Sequence, residues 1–368
     1  MKPLVDLVAG ARPNFMKLAP VLKAVVQQGT LDFRIVHTGQ HYDEVMNGVF
    51  FDELKIPEPD IHLEVGSGSH GAQTARILER YEARLLETRP AATVVFGDVN
   101  STVACALAAV KLGVPVAHVE AGLRSFDRSM PEEINRLLTD AVSELLLVSE
   151  PSGLANLRRE GVDEAKTRLV GNVMIDTLLS QIDAARARRT DARLGLTPRG
   201  YGLVTLHRPA NVDDPAMLRR LIDVLHELSD LLPLVFPVHP RTRGAAVKAG
   251  CGERLAAGQA RLVCLPPLAY LDTLSLAEGA RVVLTDSGGL QEESTVLGVP
   301  CLTLREATER PITVELGTSR LVGNDPQRIR EAFRRALEGD WPPGREIPLW
   351  DGHAGIRVAR ELSTWLGA

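Results

Sequence analysis

Aromatic residues are scarce in this chain of 368 residues, where Phe, Tyr and Trp together make up 4% of the sequence. So few aromatic side chains do not favour a surface on which nucleic-acid bases would stack. The net charge of −5 argues against wholesale binding to nucleic acid or to an anionic membrane. No apolar run approaches the ~18 residues of a membrane span, so we expect neither a membrane nor a nucleic-acid partner.

Cysteine is equally sparse, with four residues scattered over the chain. They form no Cys-x-x-Cys pair and have no His at the spacing of a zinc ligand, so we expect neither a metal site nor a disulfide framework. A reducing, cytoplasmic compartment fits this pattern. The apolar run near the amino terminus is cut off at Arg12, Pro13 and Asn14, which predicts a strand instead of a signal peptide.

What is present is typical of a soluble globular protein, with 45% apolar and 24% charged residues. At ~150 residues per domain, the length predicts about two domains. Short β-rich apolar runs alternate with longer stretches of helical spacing, which predicts the α/β class with parallel, doubly wound sheets. The predicted strands are 4–10, 33–38, 92–97, 115–120, 144–149, 202–207, 233–239, 260–265, 280–285 and 300–304. The predicted helices are 15–28, 72–88, 101–112 and 132–143, with a charged, solvated linker helix over 183–193.

Two doubly wound halves predict a ligand site in a cleft between them, lined by loops at the carboxyl ends of strands. The first strand ends at Gly10, and the helix that follows carries Arg12 and Lys17. Two cations at the start of a helix, where backbone N–H groups also lack acceptors, favour a bound phosphate. A capped loop with solvated charges is the alternative.

A second anion site is predicted where Ser287, Gly288 and Gly289 follow an apolar strand and open a helix. A Ser with two glycines at a helix start forms a backbone cradle for phosphate oxygens. Glu293 lies one turn further, where a carboxylate can accept hydrogen bonds from both hydroxyls of a ribose. A simple N-cap would explain the acidic residues but not two consecutive glycines. The segment 66–71 also matches G-x-G-x-x-G, but it lies outside the first βα turn, so we expect a loop before the next helix there.

Three carboxylates stand at the tips of predicted elements: Asp98 after the strand 92–97, Glu120 at the end of the strand 115–120, and Glu132 at a helix start. Carboxylates held together and shielded from water can have divergent pKa values, so one can act as acid and another as base. Asp98 could instead cap a helix. Glu132 could instead form an i,i+4 pair with Arg136, worth ~0.3–0.5 kcal/mol on a surface. Glu120 has no such simple structural explanation.

Two histidines, His207 and His239, follow strands of the second half, and each is next to or near an Arg. Either ring could bind or protonate a phosphate. A structural histidine at a strand end is the alternative.

A series of motifs from residue 10 to residue 323 resembles the non-hydrolysing UDP-N-acetylglucosamine 2-epimerases. In chain order the motifs are GARPNFMK, HTGQHYD, GDVNST, HVEAGLRS, PEEINR, LHRPANVD, HPRT, LTDSGGLQEES, LGVPCLTLR, TERP and ELGTSRLVG. The resemblance implies a GT-B-like fold of two Rossmann-like domains. It implies an amino-terminal domain over 1–172 with the catalytic carboxylates, a UDP-binding domain over 173–351, and a last helix over about 352–368 that packs back on the first domain. It also implies a homodimer that needs no cofactor or metal.

The resemblance also implies roles for individual residues. Those matching the catalytic positions of the family are Asp98, Glu120, Glu132 and His207. Those matching its substrate-binding positions are Arg12, Lys17, Arg136, Ser287, Gly288, Gly289, Glu293 and Arg310.

The reaction that this resemblance implies is the interconversion of UDP-GlcNAc and UDP-ManNAc. The family eliminates UDP to give a 2-acetamidoglucal and adds it back with protonation on the other face, as part of making precursors of cell-surface polysaccharides. The motifs also resemble those of epimerases for UDP-GalNAc or a 2,3-diacetamido uronate. A GT-B glycosyltransferase and a hydrolysing epimerase that releases free sugar are the further alternatives.

Overall fold

The computed structural model describes residues 1–40, 51, 53–256 and 261–368, and the chain divides into two compact units. Met1–Leu179 and Pro348–Ala368 form the first, and Ser180–Ile347 form the second. The expected limits were 172 and 351. At the first of them, the chain passes from one unit to the other within the helix Val173–Arg188. Positions 41–43 of the motif HTGQHYD lie outside the described residues.

The first unit is built on a parallel sheet. Its strands are β1 (Leu4–Ala9), β2 (Asp32–His37), β3 (Ile61–His62), β4 (Ala92–Phe96), β5 (Val116–Ala121), β6 (Leu145–Val148) and β7 (Thr167–Leu169). Their order across the sheet is β3-β2-β1-β4-β5-β6-β7, and every pair is parallel. All five side chains of β4 are buried, as expected for a central parallel strand covered on both faces.

Helices cover this sheet. They are α1 (Arg12–Gln28), α2 (His70–Glu87), α3 (Asn100–Lys111), α4 (Pro131–Val142), α5 (Pro151–Arg159) and the start of α6 (Val173–Arg188), with a 3-10 turn at Glu164–Lys166. Helix α2 buries Ile77, Tyr81 and Leu85, which recur at helical spacing. Its remaining surface is mostly polar, so one stripe faces the core and the other faces water.

The second unit repeats the pattern on a six-stranded parallel sheet. Its strands are β8 (Gly202–Thr205), β9 (Leu234–Pro237), β10 (Leu262–Leu265), β11 (Val282–Thr285), β12 (Cys301–Thr303) and β13 (Ser319–Leu321), in the order β10-β9-β8-β11-β12-β13. Its helices are α7 (Thr190–Arg193), α8 (Pro209–Val212), α9 (Pro215–Leu231), α10 (Pro240–Lys248), α11 (Tyr270–Gly279), α12 (Gly288–Val296), α13 (Ile312–Glu315) and α14 (Pro326–Glu338), with a 3-10 turn at Gly252–Leu255. The α/β class with two doubly wound parallel sheets is thus confirmed.

The last helix, α15 (Ala354–Leu366), belongs to the first unit, although the whole second unit precedes it in the chain. Ser363 Oγ lies 2.6 Å from Thr30 Oγ1 and accepts a hydrogen bond from the Gln28 amide at 3.1 Å. The buried carboxylate of Asp176 accepts the N–H groups of Ala354 and of the next residue, at 3.1 and 2.7 Å. These bonds join α15 to α1 and α6.

The expectation of a single solvated linker helix over 183–193 is wrong. Helix α6 begins ten residues earlier than expected, and Arg189 adopts a left-handed conformation (φ 45°) between α6 and α7. Ala185 and Thr190 are buried, so part of this charged stretch packs into the protein. The strands β3, β7 and β13 were not predicted, because two or three residues are too few to show a period.

Among the residues that the structure describes, no helix is long and apolar enough to cross a membrane. The four cysteines are all buried and form no disulfide with one another.

Candidate active site

Strands β1, β4 and β5 lie side by side in the first sheet, so their carboxyl ends share one edge. Lys17, in the first turns of α1, reaches this edge and forms an ion pair with Glu120, with Nζ 2.7 Å from Oε2. Both side chains are more than 90% buried. Gly97 closes β4 beside them with φ 63°, and a Cβ there would lie 2.6 Å from Lys17 Nζ. A glycine at this position therefore leaves room for the lysine.

Glu120 occupies a strained backbone position. Its φ is 78°, a region that L-residues other than Gly, Asn and Asp seldom adopt, and the pairing of β5 with β6 shifts register between Val119 and Ala121. Such a conformation costs ~1–3 kcal/mol and is concentrated at functional sites. A bulge of this kind also re-aims the side chain of a strand.

Asp98 stands two residues after the end of β4 and forms an ion pair with Arg136 of α4. Arg136 also binds Glu133, with Nη2 2.7 Å from Oε2. Glu133 is buried and accepts the N–H groups of Ser125 and Phe126 at 3.0 and 2.9 Å. Burial alone would raise the pKa of Glu133, but these N–H groups and the Arg136 guanidinium outweigh it, so the pKa is lowered. An ionised Glu133 thus holds Arg136 against Asp98.

Glu132 lies in the first turn of α4 and is partly exposed. It makes no ion pair with any of the residues that the structure describes, in contrast to Asp98 and Glu120. Arg12 is the first residue of α1 and is partly buried at the same sheet edge. The first unit therefore brings Lys17, Glu120, Asp98 and Arg136 into direct pairs, with Glu132 on the same helix as Arg136.

His207 follows β8 in the second unit, and Asp286 holds it from the end of β11. Asp286 Oδ1 lies 3.1 Å from His207 Nδ1, and its oxygens accept the N–H groups of His207 and Arg208. Burial would raise the pKa of Asp286, but the contacts with His207, Arg208 and Asn211 lower it overall. With Nδ1 held by a carboxylate, Nε2 remains for a ligand, and the side chain is 38% exposed. His239 lies nearby, with ring centroids 5.5 Å apart.

Helix α12 begins at Gly288, directly after Ser287. The Ser287 N–H donates to the Thr285 hydroxyl at 2.9 Å, so it is already occupied. Gly288 and Gly289 stand in the first turn, where N–H groups have no acceptor within the helix. A Cβ on Gly288 would lie 2.9 Å from Glu309 Oε1, which explains the need for glycine there.

A cluster of arginines surrounds Glu309 near the start of α12. Arg305 and Arg208 lie 2.6 and 3.5 Å from its carboxylate oxygens. Burial would raise the pKa of Glu309, but the charges of Arg310, Arg305 and Arg208 bring it far below the usual range. Arg310 is itself buried and forms an ion pair with Glu292, with Nε 2.6 Å from Oε1. The predicted phosphate-side residue Arg310 is thus part of this cluster.

Glu293 is buried on the inner side of α12. Burial raises its pKa to about 7, with a further increase from the charge of Glu292 and an opposing contribution from the Tyr270 hydroxyl. A carboxyl group with this pKa titrates near neutral pH.

Sequence reasoning did not select Glu133, Asp286, Glu309 or the buried pair of His118 and Asp140. All are buried in the protein interior, next to the candidate residues. The motifs PEEINR, LTDSGG and TERP contain three of them, but only the fold shows that these acids are buried, and that of the neighbours Glu132 and Glu133 it is Glu133. In the parts of the chain that the structure describes, no group of three His, Cys, Asp or Glu side chains is arranged to hold a metal ion.

A family model described as UDP-N-acetylglucosamine 2-epimerase matches residues 23–363. The chain belongs to the UDP-N-acetylglucosamine 2-epimerase family. The family inferred from the motif series is therefore confirmed.

Relatives and solved structures agree with this family. The UDP-N-acetylglucosamine 2-epimerase of Methanocaldococcus jannaschii is 39% identical over 98% of both chains. A Pseudomonas aeruginosa relative, UDP-2,3-diacetamido-2,3-dideoxy-D-glucuronate 2-epimerase, is 42% identical over 97% of this chain and 98% of its own. The crystal structure of the M. jannaschii enzyme with UDP-GlcNAc and UDP has a TM-score of 0.91 and covers 98% of this chain and 99% of its own. The expected GT-B-like fold of this 2-epimerase family member is confirmed by such neighbours.

Proposed function

We propose that this protein epimerises C2 of a UDP-N-acetylhexosamine, interconverting UDP-GlcNAc and UDP-ManNAc. The observation that carries the proposal is the set of carboxylates at the carboxyl edge of the first sheet, in a member of the 2-epimerase family. Asp98 and Glu120 are each fixed by a cation there, and Glu120 is held in a strained conformation. Fixed carboxylates are suited to proton transfer and to stabilising positive charge.

The chemistry requires such groups because the C2 proton of the sugar is not adjacent to a carbonyl. When the C1–O bond to UDP breaks, positive charge develops at C1 and the C2 proton becomes removable. The products are UDP and a 2-acetamidoglucal. Re-addition with protonation on the opposite face inverts C2, so two acid–base groups, or one that is repositioned, must act. Asp98, Glu120 and Glu132 supply them.

The leaving UDP gains negative charge on its β-phosphate, which cations and N–H donors stabilise. Our candidates are Arg12, His207, Arg310 and the start of α12 with Ser287, Gly288 and Gly289. His207 is suited to this role because Asp286 fixes its Nδ1. Glu293 would accept the ribose hydroxyls.

Incubation with UDP-GlcNAc in D2O without an acceptor tests the proposal. We expect deuterium at C2 and a mixture of UDP-GlcNAc and UDP-ManNAc by NMR. A glycosyltransferase would leave C2 unlabelled, and a hydrolysing epimerase would release free ManNAc. Either result would reject the proposal.

A second candidate substrate is a UDP-2,3-diacetamido-2,3-dideoxy uronate, with the same inversion at C2. The 42% identity to the P. aeruginosa relative of that name favours it. A panel with UDP-GlcNAc, UDP-GalNAc and this uronate in the same D2O assay separates the candidates. The sugar with the highest kcat/KM for C2 deuteration identifies the substrate.

Binding of UDP should release protons at Glu293. The buried carboxyl has a pKa of about 7, and its ionised form is the stronger acceptor for two ribose hydroxyls because both of its oxygens accept. Binding would therefore lower this pKa, and the affinity for UDP should rise with pH through neutrality. Calorimetry in two buffers of different ionisation enthalpy measures the released protons.

The control for this experiment is Glu293→Gln, which cannot ionise. Protons that come from the phosphate of UDP are the same in both proteins, so the variant should release fewer. Equal release from the wild type and from Glu293→Gln would exclude Glu293 as the titrating ligand.

We further propose a homodimer that makes precursors of cell-surface polysaccharide, as in the family that the motifs resemble. Light scattering of the purified protein tests the dimer directly.

A further inference from the structure

We propose that His118 is a positioning residue that holds the candidate acids of the first unit in place. The inference rests on the proposed function, because the acids are those that would move the C2 proton. His118 lies on β5 and its side chain is fully buried. It therefore acts through other residues and does not touch the substrate.

Both nitrogens of the His118 ring face an acceptor. Nδ1 lies 2.6 Å from Asp140 Oδ1, and Nε2 lies 2.8 Å from the carbonyl oxygen of Gly97. Both distances are those of hydrogen bonds. The ring orientation is thereby fixed from two sides.

These two bonds join the three elements that carry the acids. Gly97 is the first residue after β4 and immediately precedes Asp98. His118 is on β5, two residues before Glu120. Asp140 is on α4, which begins next to Glu132. One buried ring thus sets the spacing of β4, β5 and α4.

Asp140 extends this link past the strained Glu120. Its Oδ2 accepts the N–H of Gly122 at 3.0 Å and lies 2.7 Å from Arg124 Nη2. Arg124 in turn binds Glu160 of the chain after α5 through two bonds of 2.8 and 2.7 Å. The backbone is therefore held two residues before and two residues after Glu120. Since strain persists only where the surroundings enforce it, this network is suited to maintaining the conformation of Glu120.

Two substitutions each keep one of the two contacts of the His118 ring and remove the other. His118→Gln retains a donor near Nε2 for Gly97, and His118→Asn retains a donor near Nδ1 for Asp140. We expect kcat for C2 deuteration to fall by up to ~10²-fold in each, the typical result of a small displacement of catalytic groups. The affinity for UDP, measured by calorimetry, should stay unchanged because none of its proposed ligands is a hydrogen-bond partner of His118.

Tyr81→Phe is the matched control. Tyr81 is buried in the same unit, and its hydroxyl bonds to Asp6 and Thr93 at 3.0 and 2.8 Å, but none of the candidate acids is among these partners. It should lose stability, measured by urea denaturation, and keep kcat. If the His118 variants do not fold, Asp140→Asn, which preserves volume, replaces them in the same assays.

The outcomes are distinct. Full kcat in both His118 variants, a parallel loss of UDP affinity, or an equal loss of kcat in Tyr81→Phe would overturn the inference. If the wild type labels C2 of no sugar in the panel, the proposed function itself fails.

Discussion

Glu120→Gln should lower the rate of deuterium incorporation at C2 by ~10²–10⁴-fold, the contribution typical of a positioned acid or base. The substitution keeps the size of the side chain but removes the charge that faces Lys17 at 2.7 Å. The amide can neither take nor return the C2 proton. Substrate binding should be retained, because UDP is proposed to be held by other residues. The measurement is NMR in D2O at saturating UDP-GlcNAc, together with calorimetry for UDP.

Asp98→Asn and Glu132→Gln should have effects in the same direction. Glu144→Gln is the control, since Glu144 is exposed and pairs with the partly exposed Lys166 at the surface of the same unit, at 3.0 Å. Its labelling rate should equal that of the wild type. Undiminished labelling in all three acid variants would remove the proposed proton transfer.

Lys17→Met should reduce the free energy of unfolding by ~3–5 kcal/mol, the usual cost of removing one partner of a buried ion pair. Met is close to Lys in volume, so the main loss is the charge beside Glu120. Both side chains are more than 90% buried, so water cannot easily replace the lysine. Urea denaturation measures the loss, and C2 labelling should fall as well because Glu120 is no longer fixed.

The double variant Lys17→Met/Glu120→Gln distinguishes the causes. A neutral amide needs no buried cation, so the double variant should recover much of the stability lost in Lys17→Met. It should not recover C2 labelling. If the double variant is as unstable as the single one, the ion pair is not the source of the effect.

The fold was predictable from sequence wherever apolar runs were long enough to show a period. Strand β4, with all its residues apolar or Thr and buried, was predicted within a residue of its bounds. Strand β7 was missed because Thr167, Arg168 and Leu169 show neither alternation nor an apolar run. The charged stretch over 183–193 was misjudged because Ala185 and Thr190, which are buried, give no signal among arginines.

The candidate site was predictable where a polar or acidic side chain stands at the carboxyl end of a predicted strand. Asp98 and Ser287 follow strands and Glu120 is in the last residues of one, and the ends of parallel strands meet at one edge. The sequence could not show that Arg136 binds Asp98, since 38 residues separate them. Nor could it show the φ of 78° at Glu120, which depends on β5 shifting its register against β6.

Helix α15 belongs to the first unit, yet it is made after the whole of the second. On the ribosome, the second unit therefore has its full set of strands and helices while the first still lacks the helix that bonds to α1 and α6. Domains generally fold in the order in which they are synthesised, and here the unit that starts first is completed last. Until the final residues emerge, the buried carboxylate of Asp176 has yet to meet the N–H groups of α15 that it binds in the finished protein. The nascent chain thus carries a first unit without its last helix until the second unit has been made.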